Sequence, residues 1–455
     1  MADRRADAEG PYVPVLLPGQ TDGSISRDIS DIVFAAPSRA WWIGFLLSAS
    51  VVAMLLGAIS YLFIAGVGIW GINTTVVWGF AIINYVWWIG IGNAGTLISA
   101  MLYLSRQPWR TSINRFAEAM TIFAATIAAL FPILHLGRPY LFYWLIPYPT
   151  IMGVWPQFRS PLMWDMFAIL TYLFVSILFW YTGMIPDFAT LRDRARSRIA
   201  QLVYGVLALG WRGSAVHWAR YEQAYLIMAA LAVPLVVSVH SVVGYDFATS
   251  VMPGWHSTIF APYFVVGAMF SGFAMVITIT AILRAAFGLH AFITLRHFEA
   301  MAKILLTGSL IMGYSYGMEI FMAWYSGDAY EWDAVVQLTS GSYAPAYWIM
   351  LACNVAVPQL CWFRRVRHSV ATLLVISILV NIGMWLERYI IIVNTLSWGY
   401  VPSQWRLYFP TIWDWAILIG MLGFFIALFF LFARFLPMIP MHEVRRLAHR
   451  LEEEE

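Results

Sequence analysis

Ionisable side chains interrupt several of the long apolar runs of this sequence, and most of them lie near one end of their run. They are His135, Asp165, His240, Asp246, Glu319, Glu387 and Arg388, and the segment HLGRP adds Arg138 one turn after His135. A charge at membrane depth costs about 2.5–3.5 kcal/mol or more, so such residues indicate a function unless they pair with one another. Ion pairs and helix caps are the structural alternative, since Asp165 near a helix N-terminus is favourable by itself.

The group offers two imidazoles, several carboxylates and an arginine, which together suit proton-coupled oxidation of a hydroquinone. Such a substrate releases two protons as it loses two electrons. A neutral histidine and a carboxylate could accept those protons directly or relay them. Arg388 could hold that carboxylate or polarise a quinone oxygen. An isoprenoid tail would need only an apolar gap between helices.

Glu118, Glu299 and Lys303 form a smaller set at the opposite end of the apolar runs. Glu299 and Lys303 are four residues apart, which favours a local salt bridge on one helix face.

Resident redox centres and metals are not predicted. The two cysteines, Cys353 and Cys361, cannot supply the four thiolates that an iron–sulfur cluster usually needs, and we expect both to be buried apolar residues. Only His135 and His240 lie at a depth suited to bis-histidine haem, both near an interface. The sequence has no CxxCH motif for attached haem.

The composition places these residues in lipid. Hydrophobic residues make up 61% of the 455-residue chain and charged residues only 11%, against roughly 25% in soluble domains. The net charge of +3 gives no indication of nucleic-acid binding. The first forty residues lack a basic segment followed at once by an apolar one, so we expect no cleaved signal peptide.

Ten apolar runs are long enough to cross a bilayer, which takes about 20 residues. They cover residues 41–70, 77–104, 113–136, 162–184, 222–245, 259–284, 298–325, 341–363, 369–395 and 411–436. We therefore predict an all-α integral membrane protein with a transmembrane domain over 41–436, an N-terminal tail over 1–40 and a C-terminal tail over 437–455.

Basic residues predict the orientation of these spans. We call the side that holds the N-terminus side A and the opposite side B. Side B holds only Arg138, Arg159 and Arg406, and Arg388 lies within a span, which leaves 23 of the 27 basic residues on side A. Side A, with both termini, is therefore predicted to be cytoplasmic. The side-B loops 137–161 and 396–410 are rich in Tyr, Trp and Pro, which suits an interfacial belt, a capped cavity or a partner's docking surface.

A weak internal repeat relates two parts of the chain. Tyr85 begins YVWWIGIGNAGTLIS and Tyr263 begins YFVVGAMFSGFAMVI, and a Glu-Ala-Met follows 33 and 36 residues later, at Glu118 and Glu299. Parallel repeats are known in membrane proteins. We therefore predict two similarly oriented four-helix units, spans two to five (about 77–245) and six to nine (about 259–395), with the first and last spans outside them.

Three segments resemble the NrfD-like membrane subunits of the polysulfide reductase type, and most of all the C subunit of bacterial alternative complex III. They are IGIGNAGTLISAMLYLSRQPWRTSINRFAEAMTIF, ALFPILHLGRPYLFYWLIPYP and SPLMWDMF, within a likeness that covers about residues 40–435. The resemblance implies menaquinol oxidation near the periplasmic face of a bacterial inner membrane. His135, Asp165 and Asp246 match the residues expected to face the quinol headgroup, and Arg138, His240 and Arg388 are further candidates.

The same resemblance implies that the chain holds no redox centre of its own. Electrons would pass to a periplasmic iron–sulfur subunit and on to haem c subunits, beside a paralogous F-type membrane subunit. Proton pathways through the bundles could use Glu118, Glu299, Glu319 and Glu387. Three alternatives stay open: the F-type paralogue, a secondary transporter and a purely structural anchor. Against a transporter, the charges gather at one face and no matching pair of broken spans is visible.

Overall fold

A computed structural model describes residues 13–145 and 158–454 of the chain. Over these residues ten helices are long and apolar enough to cross a membrane, as predicted. They are α2 (Arg39–Ala65), α3 (Phe80–Leu104), α4 (Asn114–Leu134), α5 (Pro161–Arg194), α7 (Ala215–Ala248), α8 (Phe260–Phe287), α9 (Leu295–Ser326), α11 (Ala344–Trp362), α12 (Val370–Ser397) and α13 (Ile412–Phe435).

Among the described residues, four further α-helices of ten residues or more lie outside the spans. They are α1 (Asp22–Phe34), α6 (Arg198–Leu207), α10 (Ala329–Ser340) and α14 (Met441–Glu454). The two predicted tails thus each contain a helix. Helix α1 packs against α5, α13 and α14, so the first and last described helices lie together at side A.

Two spans extend well beyond their apolar runs. Helix α5 continues to Arg194 instead of residue 184, and α7 begins at Ala215 instead of residue 222. Backbone hydrogen bonding does not end where hydropathy falls, and the extra turns carry polar residues. Ser214 sets the start of α7 by accepting a hydrogen bond from the His217 N–H, a typical N-cap.

The spans form two four-helix bundles, as the repeat predicted. The first bundle is α3, α4, α5 and α7, and the second is α8, α9, α11 and α12. The two bundles meet along α3, α7 and α8. Helices α2 and α13 pack on each other outside the bundles, and α13 also packs against α4. Helix α3 is almost wholly buried, since 21 of its 25 residues are covered by the surrounding protein.

Glycines allow the central helices to approach closely. A Cβ atom added at Gly272 of α8 would lie 1.7 Å from the Cβ of Ala94 of α3. One added at Gly95 of α3 would lie 1.9 Å from the carbonyl oxygen of Ala117 of α4. Small residues at such positions let helix backbones pack tightly in membranes, where little hydrophobic force drives association.

The side-B connections are fixed by buried hydrogen bonds. Asp414, 2% exposed, accepts bonds from the Gly71 N–H (2.9 Å), the Thr411 N–H (2.8 Å) and the Tyr408 hydroxyl (3.0 Å). It thereby ties the connection after α2 to the one before α13. The predicted aromatic loop 137–161 is described only in part, because residues 146–157 lie outside the described ranges.

Candidate functional site

Two carboxylates and a tyrosine from three helices lie near one another at the side-B end of the first bundle. The hydroxyl of Tyr85 on α3 donates a hydrogen bond to Oδ2 of Asp165 on α5. Asp246 on α7 is close enough to interact electrostatically with both Asp165 and Tyr85. Sequence reasoning singled out the two carboxylates but gave Tyr85 no role beyond starting the repeat.

Local sequence places each carboxylate at this level of the bundle. Ser160-Pro161 begins α5, which puts Asp165 in its second turn, and α7 ends at Ala248, which puts Asp246 in its last turn. Gly244 lets the end of α7 press on the start of α8, since an added Cβ would lie 2.9 Å from Ala261 Cα. The antiparallel course of α5 and α7 then brings the two carboxylates to the same end.

This cluster has unused hydrogen-bonding capacity. Within the described ranges, Oδ1 of Asp165 and Oδ1 of Asp246 are buried without a hydrogen-bond partner. Buried polar atoms are nearly always satisfied, so such atoms call for an explanation, and a ligand or water is one. Trp164 and Tyr245, the neighbours of the two carboxylates along the chain, are 43% and 42% exposed on the outer face of the bundle. The cluster therefore lies next to a lipid-facing surface.

His240 lies further into the molecule, between the bundles. It is 1% exposed, and neither ring nitrogen finds a hydrogen-bond partner among the residues described. A Cβ added at Gly90 would lie 3.8 Å from Nε2 of His240 and 3.7 Å from Oγ of Ser271. His240 also interacts electrostatically with Arg388 of the second bundle.

Arg388 belongs to the second bundle and does not hold Asp165 or Asp246, one of the roles that the sequence left open for it. Its Nη1 lies 2.9 Å from Oε1 of the adjacent Glu387, and its guanidinium stacks 4.2 Å from the ring centre of Phe264. The Tyr316 hydroxyl donates to Glu387, and the Asn354 amide donates to that hydroxyl at 3.0 Å. Arg388 is thus neutralised by its own neighbour along the chain.

A cavity of about 320 Å³ adjoins this second group at side B. Glu319 and Glu387 line it with Tyr263, Tyr316 and Tyr347, and α10 supplies one wall through Glu331 and Val335. The cavity is therefore next to Glu319 and Glu387, not at the Asp165–Asp246 pair. Glu319 and Glu387, two of the predicted proton-pathway residues, therefore line the same cavity.

His135 and Arg138 lie at the side-B end of α4, apart from both groups. The His135 ring hydrogen-bonds the backbone at Val77, and in the described part of the chain it bonds to neither carboxylate. Burial lowers the pKa of His135 below its ordinary value, and that hydrogen bond opposes the shift only in part. Arg138 is exposed. The single cluster that the sequence suggested is thus resolved into separate groups.

The side-A residues separate in the same way. Glu118, 1% exposed in the first bundle, accepts hydrogen bonds from Ser99 Oγ (2.5 Å) and the Tyr225 hydroxyl (3.1 Å). Glu299 lies in the second bundle and forms the predicted salt bridge with Lys303 at 2.9 Å.

Several buried partners at side A were not found from the sequence. Arg115 and Asp187 form an ion pair of 2.9 Å between side chains that are 1% and 0% exposed. Both residues stand at the polar ends of apolar runs, where the sequence alone suggests solvated charges.

The described residues hold no group of three or more His, Cys, Asp or Glu that could bind a metal ion. Cys353 and Cys361 are buried and form no disulfide.

A family model described as "Polysulphide reductase, NrfD" matches residues 68–398. The chain belongs to the NrfD polysulphide reductase family. The match covers α3 through α12 and therefore every candidate residue above, while α1, α2, α13 and α14 lie outside it. Membership confirms the resemblance seen in the sequence at the level of the NrfD family.

Two curated relatives share about half of the chain. A putative C-type membrane subunit of dimethyl sulfoxide reductase from Halobacterium salinarum is 27% identical over 237 residues, which is 50% of each protein. The C subunit of selenate reductase from Mesobacillus selenatarsenatis is 24% identical over 207 residues, 44% of this chain and 47% of the relative. The chain therefore spans about half the length of each of these relatives.

Proposed function

We propose that this NrfD-family chain is the quinol-oxidising membrane subunit of an electron-transfer complex. Asp165 and Asp246 would serve as the proton acceptors of the site. The observation that carries the proposal is the hydrogen bond from Tyr85 to Asp165, with Asp246 near enough to interact electrostatically with both. Within the described residues, one oxygen of each carboxylate is buried without a hydrogen-bond partner. The names of both relatives, each a subunit of a reductase, support the same assignment.

The chemistry requires two bases and an electron acceptor. A hydroquinone bound at the cluster would give one proton to each carboxylate, or both in turn to one that relays them. Its two electrons would leave for an iron–sulfur cluster in a partner protein, because the two cysteines of this chain are too few to ligate one. General-base catalysis of this kind contributes typically 10²–10⁴-fold to a rate. His240, whose two ring nitrogens have no partner in the described structure, would accept a proton released from the cluster.

The finer assignment follows the sequence resemblance to the C subunit of alternative complex III. The substrate would be menaquinol, and the partners a periplasmic iron–sulfur subunit, haem c subunits and the F-type paralogue. The membrane would be a bacterial inner membrane with both termini in the cytoplasm, as the arginine distribution favours. His135 and Arg138, at the same end of the bundle, would border the site towards the periplasm.

A proton route is the second part of the proposal. Glu118 would serve the first bundle, and Glu299, Glu319 and Glu387 the second. The cavity of about 320 Å³ supports a proton outlet at side B, because Glu319 and Glu387 line it together with residues of α10. Carboxylate chains of this type mark proton relays in membrane proteins. An F-type paralogue that conducts protons without oxidising quinol is the competing assignment, and it predicts no use of Asp165.

The test is quinol oxidation by the purified complex carrying Asp165→Asn. Loss of the base should lower the rate by at least about 100-fold, while the partner subunits remain bound and a menaquinol analogue binds more weakly. Asp333→Asn, an exposed change on α10, is the matched control. His135→Ala should also abolish turnover, because His135, hydrogen-bonded to the backbone at Val77, would border the proposed site.

Normal turnover and unchanged analogue binding in Asp165→Asn, with all subunits present, would move quinol oxidation to another subunit. A secondary transporter would instead be identified by solute movement into liposomes that contain this chain alone.

A further inference from the structure

The C-terminal helix α14 closes the side-A end of the first bundle, although it lies outside the family match. Its Met441 and Val444 are fully buried, and Leu447 is 8% exposed. From the same helix Arg446 reaches Glu222 at 2.5 Å, and His442 lies 3.3 Å from Asp187. An amphipathic helix held by both apolar and charged contacts occupies a defined position on the bundle.

Glu443 of this helix is linked to the buried Glu118 by an unbroken chain of contacts. Its carboxylate accepts from Nη2 of Arg110. Nη1 of Arg110 donates to Ser99 Oγ and to the Tyr225 hydroxyl, both at 3.3 Å. Both of those groups donate in turn to Oε1 of Glu118. Exposed fractions fall from 14% at Glu443 to 5% at Arg110 and 1% at Glu118.

Arg110 is thus shared between a carboxylate on a separate helix and a carboxylate within the bundle. Burial by itself lowers the pKa of Arg110, and the attraction of Glu443 reverses this, so that the pKa is raised and the arginine stays charged. Removing the negative charge of Glu443 would leave the guanidinium to act on Glu118 alone. An opposite charge nearby favours the ionised form of a carboxyl group.

Arg115, the other cation near Glu118, has its counter-charge within the bundle. Arg115 is held by Asp187 at 2.9 Å and by the carbonyl oxygen of Gly183 at 2.8 Å. Asp187 also faces His442, whose Nε2 meets the Tyr221 hydroxyl at 3.0 Å. Arg110 is therefore the cation near Glu118 whose counter-charge, Glu443, lies on the C-terminal helix itself.

We propose that Glu443 is a positioning residue that keeps Glu118 able to hold a proton, by drawing Arg110 towards side A. In functional terms this deepens the proton route proposed above, on which it rests. The C-terminal helix would then set how readily Glu118 takes up a proton from the cytoplasmic side. Both electrostatic effects of losing Glu443 act in one direction, because its own negative charge also repels an ionised Glu118.

The test uses dicyclohexylcarbodiimide, which reacts with protonated carboxyl groups, on the purified full complex across a range of pH. Labelling of the peptide that contains Glu118 is measured by mass spectrometry. Glu443→Gln should move the pH of half-maximal labelling down by about one unit, at the low end of the effect of a close charge. Glu443→Asp should keep the wild-type curve, as should Glu452→Gln, whose side chain on the same helix is 68% exposed.

Deuterium exchange over residues 441–454 reports whether the helix stays docked. A labelling curve for Glu443→Gln that superimposes on the wild type would overturn the proposal. Higher Glu118 labelling at every pH, together with faster deuterium exchange over residues 441–454, would also overturn it. The helix would then only shield Glu118 from the reagent. Proton uptake during turnover is measured separately: a shifted curve without proton uptake would keep the role of Glu443 and remove the proton route.

Discussion

Tyr85 is the single side chain that most changes the interpretation of the site. Its hydroxyl occupies one oxygen of Asp165 and leaves the other buried and unpartnered in the described structure. An aromatic residue in an apolar helix carries no signal of such a role, because tyrosine is common in membrane helices. The corresponding residue of the second repeat, Tyr263, lines the cavity of the second bundle.

Tyr85→Phe should lower quinol oxidation about tenfold, since it removes a hydrogen bond that orients the proposed base, worth on the order of 1.5 kcal/mol for a charged acceptor. Analogue binding should change little, because the ring and its packing remain. The measurement is the split between kcat and KM. Tyr314→Phe, 64% exposed towards lipid, is the control. Equal rates for the two variants would remove Tyr85 from the proposed site.

At the level of elements, the contact of α3 with α8 holds the two bundles together. Gly272 and Ala94 meet there with no room for another methyl group. The site depends on this contact indirectly, because α3 carries Tyr85 while α8 supports the end of α7 through Gly244. A change at this contact therefore acts on stability and on the site together.

Gly272→Ala should destabilise the protein by about 3 kcal/mol, at the upper end for an added methyl in a packed core, because the clash involves backbone as well as a side chain. Thermal unfolding in detergent, followed by size-exclusion chromatography, measures the loss. Gly317→Ala on α9, where a Cβ meets nothing within 4 Å, should be neutral. Adding Ala94→Gly to Gly272→Ala should recover most of the loss, and failure to do so would place the strain elsewhere.

At the level of the whole molecule, the arginine distribution makes the two faces unequal. Exposed arginines such as Arg196, Arg198 and Arg212 surround α6 on side A. Helices α1 and α14 add to that same face. Positive charge is retained in the cytoplasm during insertion, so we propose that the Asp165–Asp246 cluster faces the periplasm.

Single cysteines test this orientation. Ser403→Cys on side B should react with a membrane-impermeant maleimide in intact cells, and Ser197→Cys on side A only after the membrane is opened. Both serines are exposed, whereas native Cys353 and Cys361 are buried and should give little background. The reverse pattern would invert the topology and place the proposed quinol site on the cytoplasmic side.

The sequence alone predicts the membrane class, the ten spans, the two four-helix units and the family. Each of these depends on hydropathy, on repeat spacing or on motifs that run continuously along the chain. It also determined which ionisable residues are costly at membrane depth, and it correctly paired Glu299 with Lys303, because that contact lies within one helix turn.

Which of those residues lie together depends on how the helices pack. Small residues such as Gly272 and Gly244 set how the helices rotate and cross. These rotations and crossings pair Arg388 with Glu387 and bring Asp246 near Asp165. They also recruit Tyr85 and bring Glu443 to Arg110 across 333 residues of chain. Contacts between residues so far apart in sequence depend on the packing of whole helices, and no local pattern of residues encodes them.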